Sequence, residues 1–136
     1  MKRKGCSIIF INNNEKVLLF LRDNLQGLPY ANMWDLLGGH VEETETPDEC
    51  IVREMQEEIG YRLVDFSLFK IYDFDDRVEY VYWCMENFDI DDIVLTEGQS
   101  LKWFNNNMIS QTDLAYGFNR VLEEFFIEAP HLSFLS

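Results

Sequence analysis

Two apolar runs, "CSIIFI" and "VLLFLR", flank the polar stretch "NNNEK", so residues 6 to 22 are expected to form a β-hairpin of largely buried strands. After the loop "DNLQGLPYAN", the segment "MWDLL" (33–37) reads as a short strand ended by Gly38-Gly39, where backbone freedom is greatest. Helical periodicity follows. Ile51, Val52, Met55 and Ile59 share one arc of a helix, and Glu54, Glu57 and Glu58 fall on a neighbouring arc of about 100°. Thr46 suits the N-cap, Pro47 the first helical position, Glu49 completes a capping box and Gly60 supplies the stop, which predicts a helix over 47–59. "FSLFKIYDF" and "VEYVYWCM", joined at "DDR", predict a second hairpin, and "LKWF" (101–104) a further short strand. Leu114, Phe118, Val121, Leu122, Phe125 and Phe126 predict a helix over 112–127, ended by "AP". The class expected is α+β, in one domain spanning 1–136.

Composition narrows the function. With 47% hydrophobic and 15% aromatic residues the chain folds, and its formal net charge of -14 argues against a broad grip on a nucleic acid polymer, which depends on basic side chains. Any phosphate ligand needs cations as intermediaries. No apolar run approaches a membrane span, and the opening "MKRKGCSIIFI" reads as a first strand rather than a leader. Cys6, Cys50 and Cys84 lack metal-type spacing and are expected as small buried hydrophobes in a reduced, cytoplasmic protein. "DFDDR" (73–77) and "DIDD" (89–92) lack the glycine and closing glutamate of a calcium loop and read as exposed turns.

The acidic arc of the 47–59 helix carries the chemistry. Like charges three and four residues apart cost a helix roughly 0.2 to 0.5 kcal/mol per pair, a term whose sign a divalent cation reverses. Mg²⁺ takes carboxylate, carbonyl and water oxygens and shares its shell with substrate phosphates, so three carboxylates beside a Gly-Gly loop suit metal-assisted phosphate chemistry. The competing reading is a solvated acidic face.

Spacing decides between them. From Gly39 the chain runs five residues to Glu45, seven more, then Arg53-Glu54-Met55-Gln56-Glu57-Glu58-Ile59-Gly60-Tyr61. This resembles the Nudix box, GX5EX7REUXEEXGU, at each fixed polar and glycine position; Tyr61 replaces the usual closing aliphatic, Leu37 stands where many members have Pro, and Thr44 where many have Gly. The resemblance implies an α/β/α sandwich with a mixed β-sheet, hydrolysing a nucleoside diphosphate linked to another moiety with Mg²⁺ or sometimes Mn²⁺. It implies metal ligation by Glu54, Glu57 and Glu58, a loop carbonyl ligand at Gly38 or Gly39, and a structural ion pair between Arg53 and Glu45.

"TEGQSLKWF" (96–104) resembles the MutT-type segment in which a loop glutamate precedes a Trp-containing strand, which makes Glu97 a further metal ligand or the general base; the residues leave Glu57 and Glu97 open for that role. For substrate contacts the candidates are His40 in the box loop, Tyr30, Trp34, Trp103 and Phe118 as stacking surfaces, and Asn119, where some MutT-like members place a base-reading Asn. The expectation is a MutT-like enzyme, monomeric or homodimeric, that converts a nucleoside triphosphate, oxidised nucleotides included, to monophosphate and pyrophosphate. The alternatives are a hydrolase of ADP-ribose, a nucleotide sugar or a dinucleoside polyphosphate, or a non-catalytic Nudix-fold regulator.

Overall fold

A computed structural model describes residues 2–131. In chain order it contains β1 (Arg3–Ile11), β2 (Val17–Leu21), β3 (Trp34–Asp35), β4 (Leu37–His40), α1 (Pro47–Ile59), β5 (Ser67–Asp73), β6 (Arg77–Met85), β7 (Ser100–Phe104), α2 (Asn106–Ser110) and α3 (Phe118–Glu128). The strands form one mixed sheet. Its path runs β3-β2-β1-β6-β5, with β4 added to β1 and β7 to β2.

Strand β1 organises both faces. Cys6, Ile8 and Phe10 meet Cys50, Ile51, Met55 and Ile59 of α1, whereas Ile9 and Ile11 pack with Phe118, Val121, Leu122 and Phe125 of α3. That alternation is the period of a strand covered on both sides, and it makes the molecule an α/β/α sandwich. All three cysteines are free and buried.

Helix α1 forms where its local signals place it. The Thr46 hydroxyl accepts from the Glu49 amide at 3.2 Å, the Glu49 carboxylate accepts from the Thr46 amide at 2.9 Å, and Gly60 closes the helix at φ 65°. The hairpin of β5 and β6 also forms, with an irregularity between Leu68 and Lys70.

Three elements differ from expectation, the first two through long-range strand pairing and the third through local backbone conformation. The first hairpin exists only at its turn, where Ile11 meets Val17; β1 then pairs in parallel with β6 along its whole length, and β2 pairs with β7. "MWDLL" splits at Leu36 into β3 on β2 and β4 on β1, and β4 runs through Gly38-Gly39 to His40 instead of stopping before them. The last helix begins at Phe118, not 112, because Tyr116 (φ 56°) and Gly117 (φ 75°) adopt left-handed conformations that interrupt it.

Candidate active site

A cleft of about 540 Å³ opens where β1, β3, β4 and β6 meet the acidic side of α1 and the loop before β7. Room for it is left where β4 carries glycines instead of side chains. Antiparallel pairing sets Ser7 opposite Gly38 and Cys6 opposite Gly39, and a Cβ on Gly39 would lie 2.4 Å from the Glu54 carboxyl carbon. The missing side chain lets the α1 carboxylates reach the cleft, which Glu54, Glu57, Glu58 and Glu97 all line.

Arg53 organises this end. Its guanidinium donates to Glu45 through Nε (3.0 Å) and Nη2 (2.7 Å), to Glu54 at 2.7 Å, to Glu57 at 3.1 Å and to the His40 carbonyl at 3.3 Å. Those bonds hold the Glu45 carboxyl down at about 2. The expected Arg53–Glu45 pair is therefore present, and it fastens the loop of residues 41–46 to α1.

Glu54 and Glu58 carry the site's electrostatic tension. Burial, and then the facing Glu54 carboxylate, push the Glu58 carboxyl up to about 9, against the opposing effect of the Gly38 amide. Glu58 Oε2 is buried with no hydrogen-bond partner. Two crowded carboxylates with an orphaned oxygen, beside the extended Gly38-Gly39 backbone, form an all-oxygen donor set suited to a hard divalent cation. Among the described residues no three His, Cys, Asp or Glu side chains already enclose such an ion, since Glu57 leans on Arg53. Glu97 is carried by a pinned loop: the Thr96 amide donates to the Glu58 carbonyl at 3.0 Å, and the Gly98 amide to Asp23 at 3.3 Å.

The substrate candidates divide. His40 lines the cleft at the end of β4, with its ring nitrogens 3.2 and 3.5 Å from Arg3; burial and Arg3 lower its pKa. Phe118 lines it too. Tyr30 lies outside the lining, its ring 4.5 Å from that of Tyr116, which does belong to the wall. Trp34 and Trp103 take packing positions: Trp34 meets Phe104 edge-to-face at 5.0 Å on the α3 side, and Trp103 packs on the α1-side core.

Asn119 does not line the cleft either. Its amide accepts from the Leu114 amide at 2.8 Å and donates to the carbonyls of Ile109 (3.2 Å) and Thr112 (2.7 Å), so its polar atoms brace the turn before α3. Asn119→Ala should lower stability by roughly 2 kcal/mol, read by urea denaturation, and change kcat/KM by less than about threefold. A base-reading role would instead raise KM with stability unchanged.

Four buried polar residues of the cleft had been given no role in the site: Ser7, Asp35, Arg77 and Glu79. Arg77 was expected in an exposed turn, yet it donates to Glu79 (2.6 Å) and to the Tyr116 carbonyl (3.0 Å), with its guanidinium 4.4 Å from the Phe74 ring. The alternation along β6 carries the clue, because 77 and 79 share the inward register of Val81 and Trp83.

Asp35 pairs with Arg22 at 3.1 Å, yet burial outweighs that partner and pushes its carboxyl up to about 7. The folded protein holds there a proton that the unfolded chain releases near pH 4, so this contribution to stability is complete at low pH and is lost as pH rises through 7. Relative to Asp35→Asn, the parent protein should lose roughly 1 to 3 kcal/mol between pH 5 and pH 8 in chemical denaturation.

Comparison with known proteins agrees with this architecture. A curated relative, the 8-oxo-dGTP diphosphatase of Escherichia coli, is 35% identical over 82 residues, covering 58% of this chain and 64% of the relative, so the matched stretch spans less than two thirds of it. Among solved structures, a MutT NUDIX hydrolase from Burkholderia pseudomallei superposes with a TM-score of 0.75 at 24% identity, covering 90% of this chain and 97% of that one. The NUDIX domain of Shewanella oneidensis NrtR, solved with ADP ribose, superposes with a TM-score of 0.77 at 17% identity, covering 95% and 89%. These superpositions establish the fold. The NUDIX domain sequence profile matches residues 1–125, and with the box geometry already described, the chain belongs to the NUDIX domain family.

Proposed function

We propose that this chain is a divalent-metal-dependent nucleotide pyrophosphohydrolase acting on a nucleoside diphosphate linked to a further group. Its substrate on this reading is a nucleoside or deoxynucleoside triphosphate, oxidised forms included, cleaved to monophosphate and pyrophosphate. One observation carries the reading: the crowded Glu54–Glu58 pair, with its partnerless buried oxygen, opens into a cleft of nucleotide dimensions. The activity named for the Escherichia coli relative lends support.

Nudix hydrolases generally use divalent cations. Here Glu54, Glu57, Glu58 and the Gly38 carbonyl, with Glu97 from the facing loop, would hold Mg²⁺, or Mn²⁺ in its place. Such a cation supplies charge neutralisation on the phosphate oxygens and a more acidic water. The chain's own part is positional and basic. Arg53 sets the spread of the carboxylates, and Gly39 leaves Glu54 room to reach the cleft. Glu57 or Glu97 accepts the proton of the attacking water. Three free cysteines suit a reduced cytoplasmic setting, and among the described residues no helix is long and apolar enough to cross a membrane.

A substrate panel tests the proposal. Deoxynucleoside triphosphates, 8-oxo-dGTP, ADP-ribose, a nucleotide sugar and a dinucleoside polyphosphate are incubated with and without Mg²⁺. Turnover of a triphosphate that stops on chelation is expected. Metal-independent turnover, or none on any substrate, contradicts it.

A further inference from the structure

The cleft has a second polar region on its sheet floor, distinct in chemistry from the α1 face. Ser7 from β1, Asp35 from β3, and Arg77 and Glu79 from β6 contribute it, each 5% exposed or less. The cationic groups here are committed to fixing carboxylates. Arg77 donates to Glu79 Oε1 at 2.6 Å, to Asp76 at 3.1 Å and to the Tyr116 carbonyl, while the rings of Phe74, Tyr116 and Phe118 flank its guanidinium. Arg22 donates to Asp35 Oδ2 at 3.1 Å and to the Pro29 carbonyl at 3.0 Å.

What remains is the Asp35 carboxyl, an acceptor once pH rises through about 7, the Glu79 carboxyl and the Ser7 hydroxyl. Asp35 Oδ1 is buried with no partner, and so is Ser7 Oγ, which lies beside the Glu79 carboxyl without reaching hydrogen-bonding geometry. Room for Glu79 depends on Gly5, where a Cβ would lie 2.5 Å from Glu79 Oε1. A buried carboxylate oxygen without a donor is costly, so such an arrangement favours a ligand that brings N–H groups. With Asp35 ionised, above about pH 7, phosphates and carbonyl edges are repelled by it. Tyr116 and Phe118, from the α3-side core, line the cleft beside Arg77 and offer flat rings of the kind that stack on a base.

We propose that this sheet floor reads the amino edge of a nucleobase, with Asp35 and Glu79 as the specificity-determining acceptors. The inference rests on the nucleotide-hydrolase reading and adds which bases the site takes: those with amino groups, against deaminated counterparts with a carbonyl or hydrogen in the same place. Sites that hydrogen-bond a substrate N–H reject analogues lacking it far more strongly than apolar pockets reject a missing methylene.

The test uses pairs of substrates that differ at the amino group, dGTP against dITP and dCTP against dUTP, with kcat/KM measured at pH 8, where Asp35 is ionised, for the parent, Asp35→Asn and Glu79→Gln. The parent is expected to favour the amino member of at least one pair tenfold or more. Each variant, whose amide offers a donor as well as an acceptor, is expected to bring that ratio to within threefold of one. General damage to folding lowers both members alike and leaves the ratio unmoved, so the ratio reports recognition; should Glu79→Gln fail to fold, Asp35→Asn decides. Equal rates within both pairs, or a preference that the folded variants retain, overturns the subsite while leaving the hydrolase reading intact. If no nucleotide is turned over, the hydrolase reading fails, and the same ratio is taken from calorimetric dissociation constants of dGMP and dIMP, dCMP and dUMP. Equal or undetectable binding there overturns the subsite as well.

Discussion

Replacing Glu57 with Gln is expected to lower Mg²⁺-dependent kcat/KM by about 10²- to 10³-fold, with the unfolding midpoint nearly unchanged. The side chain is 60% exposed and its partner is the Arg53 guanidinium at 3.1 Å. An exposed pair of this kind contributes at most about 1 kcal/mol to stability, and Arg53 keeps Glu45 and Glu54 when it is lost. The isosteric amide preserves shape but removes the charge that a cation or a water proton requires, so the loss falls on chemistry and not on the fold. Steady-state kinetics and thermal melts on the same preparation check this. A variant with full activity would remove Glu57 from the site.

The adjacent glycines should respond differently to the same change. In Gly38→Ala the new methyl would lie 2.0 Å from the Cys6 carbonyl oxygen and 2.8 Å from the Ser7 Cα, backbone atoms of the central strand β1. That strand is paired on both edges and cannot retreat, so a loss of roughly 3 kcal/mol or more is expected. In Gly39→Ala the methyl meets only the Glu54 carboxylate, at 2.4 to 2.6 Å. A side-chain terminus can swing aside, so this variant should fold and lose roughly 10²-fold in kcat/KM because Glu54 is displaced. Urea denaturation and kinetics separate the two outcomes. Equal stability of both variants would show that β4 is not locked against β1 as described.

What could be foreseen from the residues follows the range of the interactions involved. Helix α1 was legible because Thr46, Pro47, Glu49 and Gly60 act within a turn of their own positions, and the Arg53–Glu45 pair was implied by the family resemblance. That β1 is a largely buried strand was legible too, although its partners were not. Nothing near "CSIIFI" announces that its parallel neighbour is β6, some seventy residues on, and glycines are poor strand formers, which hid β4. Leu114 has the spacing of a helical residue but belongs to the turn that Asn119 braces, so periodicity alone began the last helix too early.

The same division holds in the cleft. Its α1 face lay in one contiguous motif, whereas Ser7, Asp35, Arg77 and Glu79 come from three strands and converge only once the sheet is assembled. Buried charge leaves little local trace in a sequence. Arg77 and Glu79 differ from ordinary turn and surface residues only by their register with Val81 and Trp83.

The most direct test of the central claim is product analysis on the best triphosphate substrate with Mg²⁺ present. The structure-based reading predicts nucleoside monophosphate and pyrophosphate in equal amounts, with both absent after chelation or in Glu57→Gln. Release of orthophosphate and nucleoside diphosphate, or products formed without a divalent cation, would contradict it.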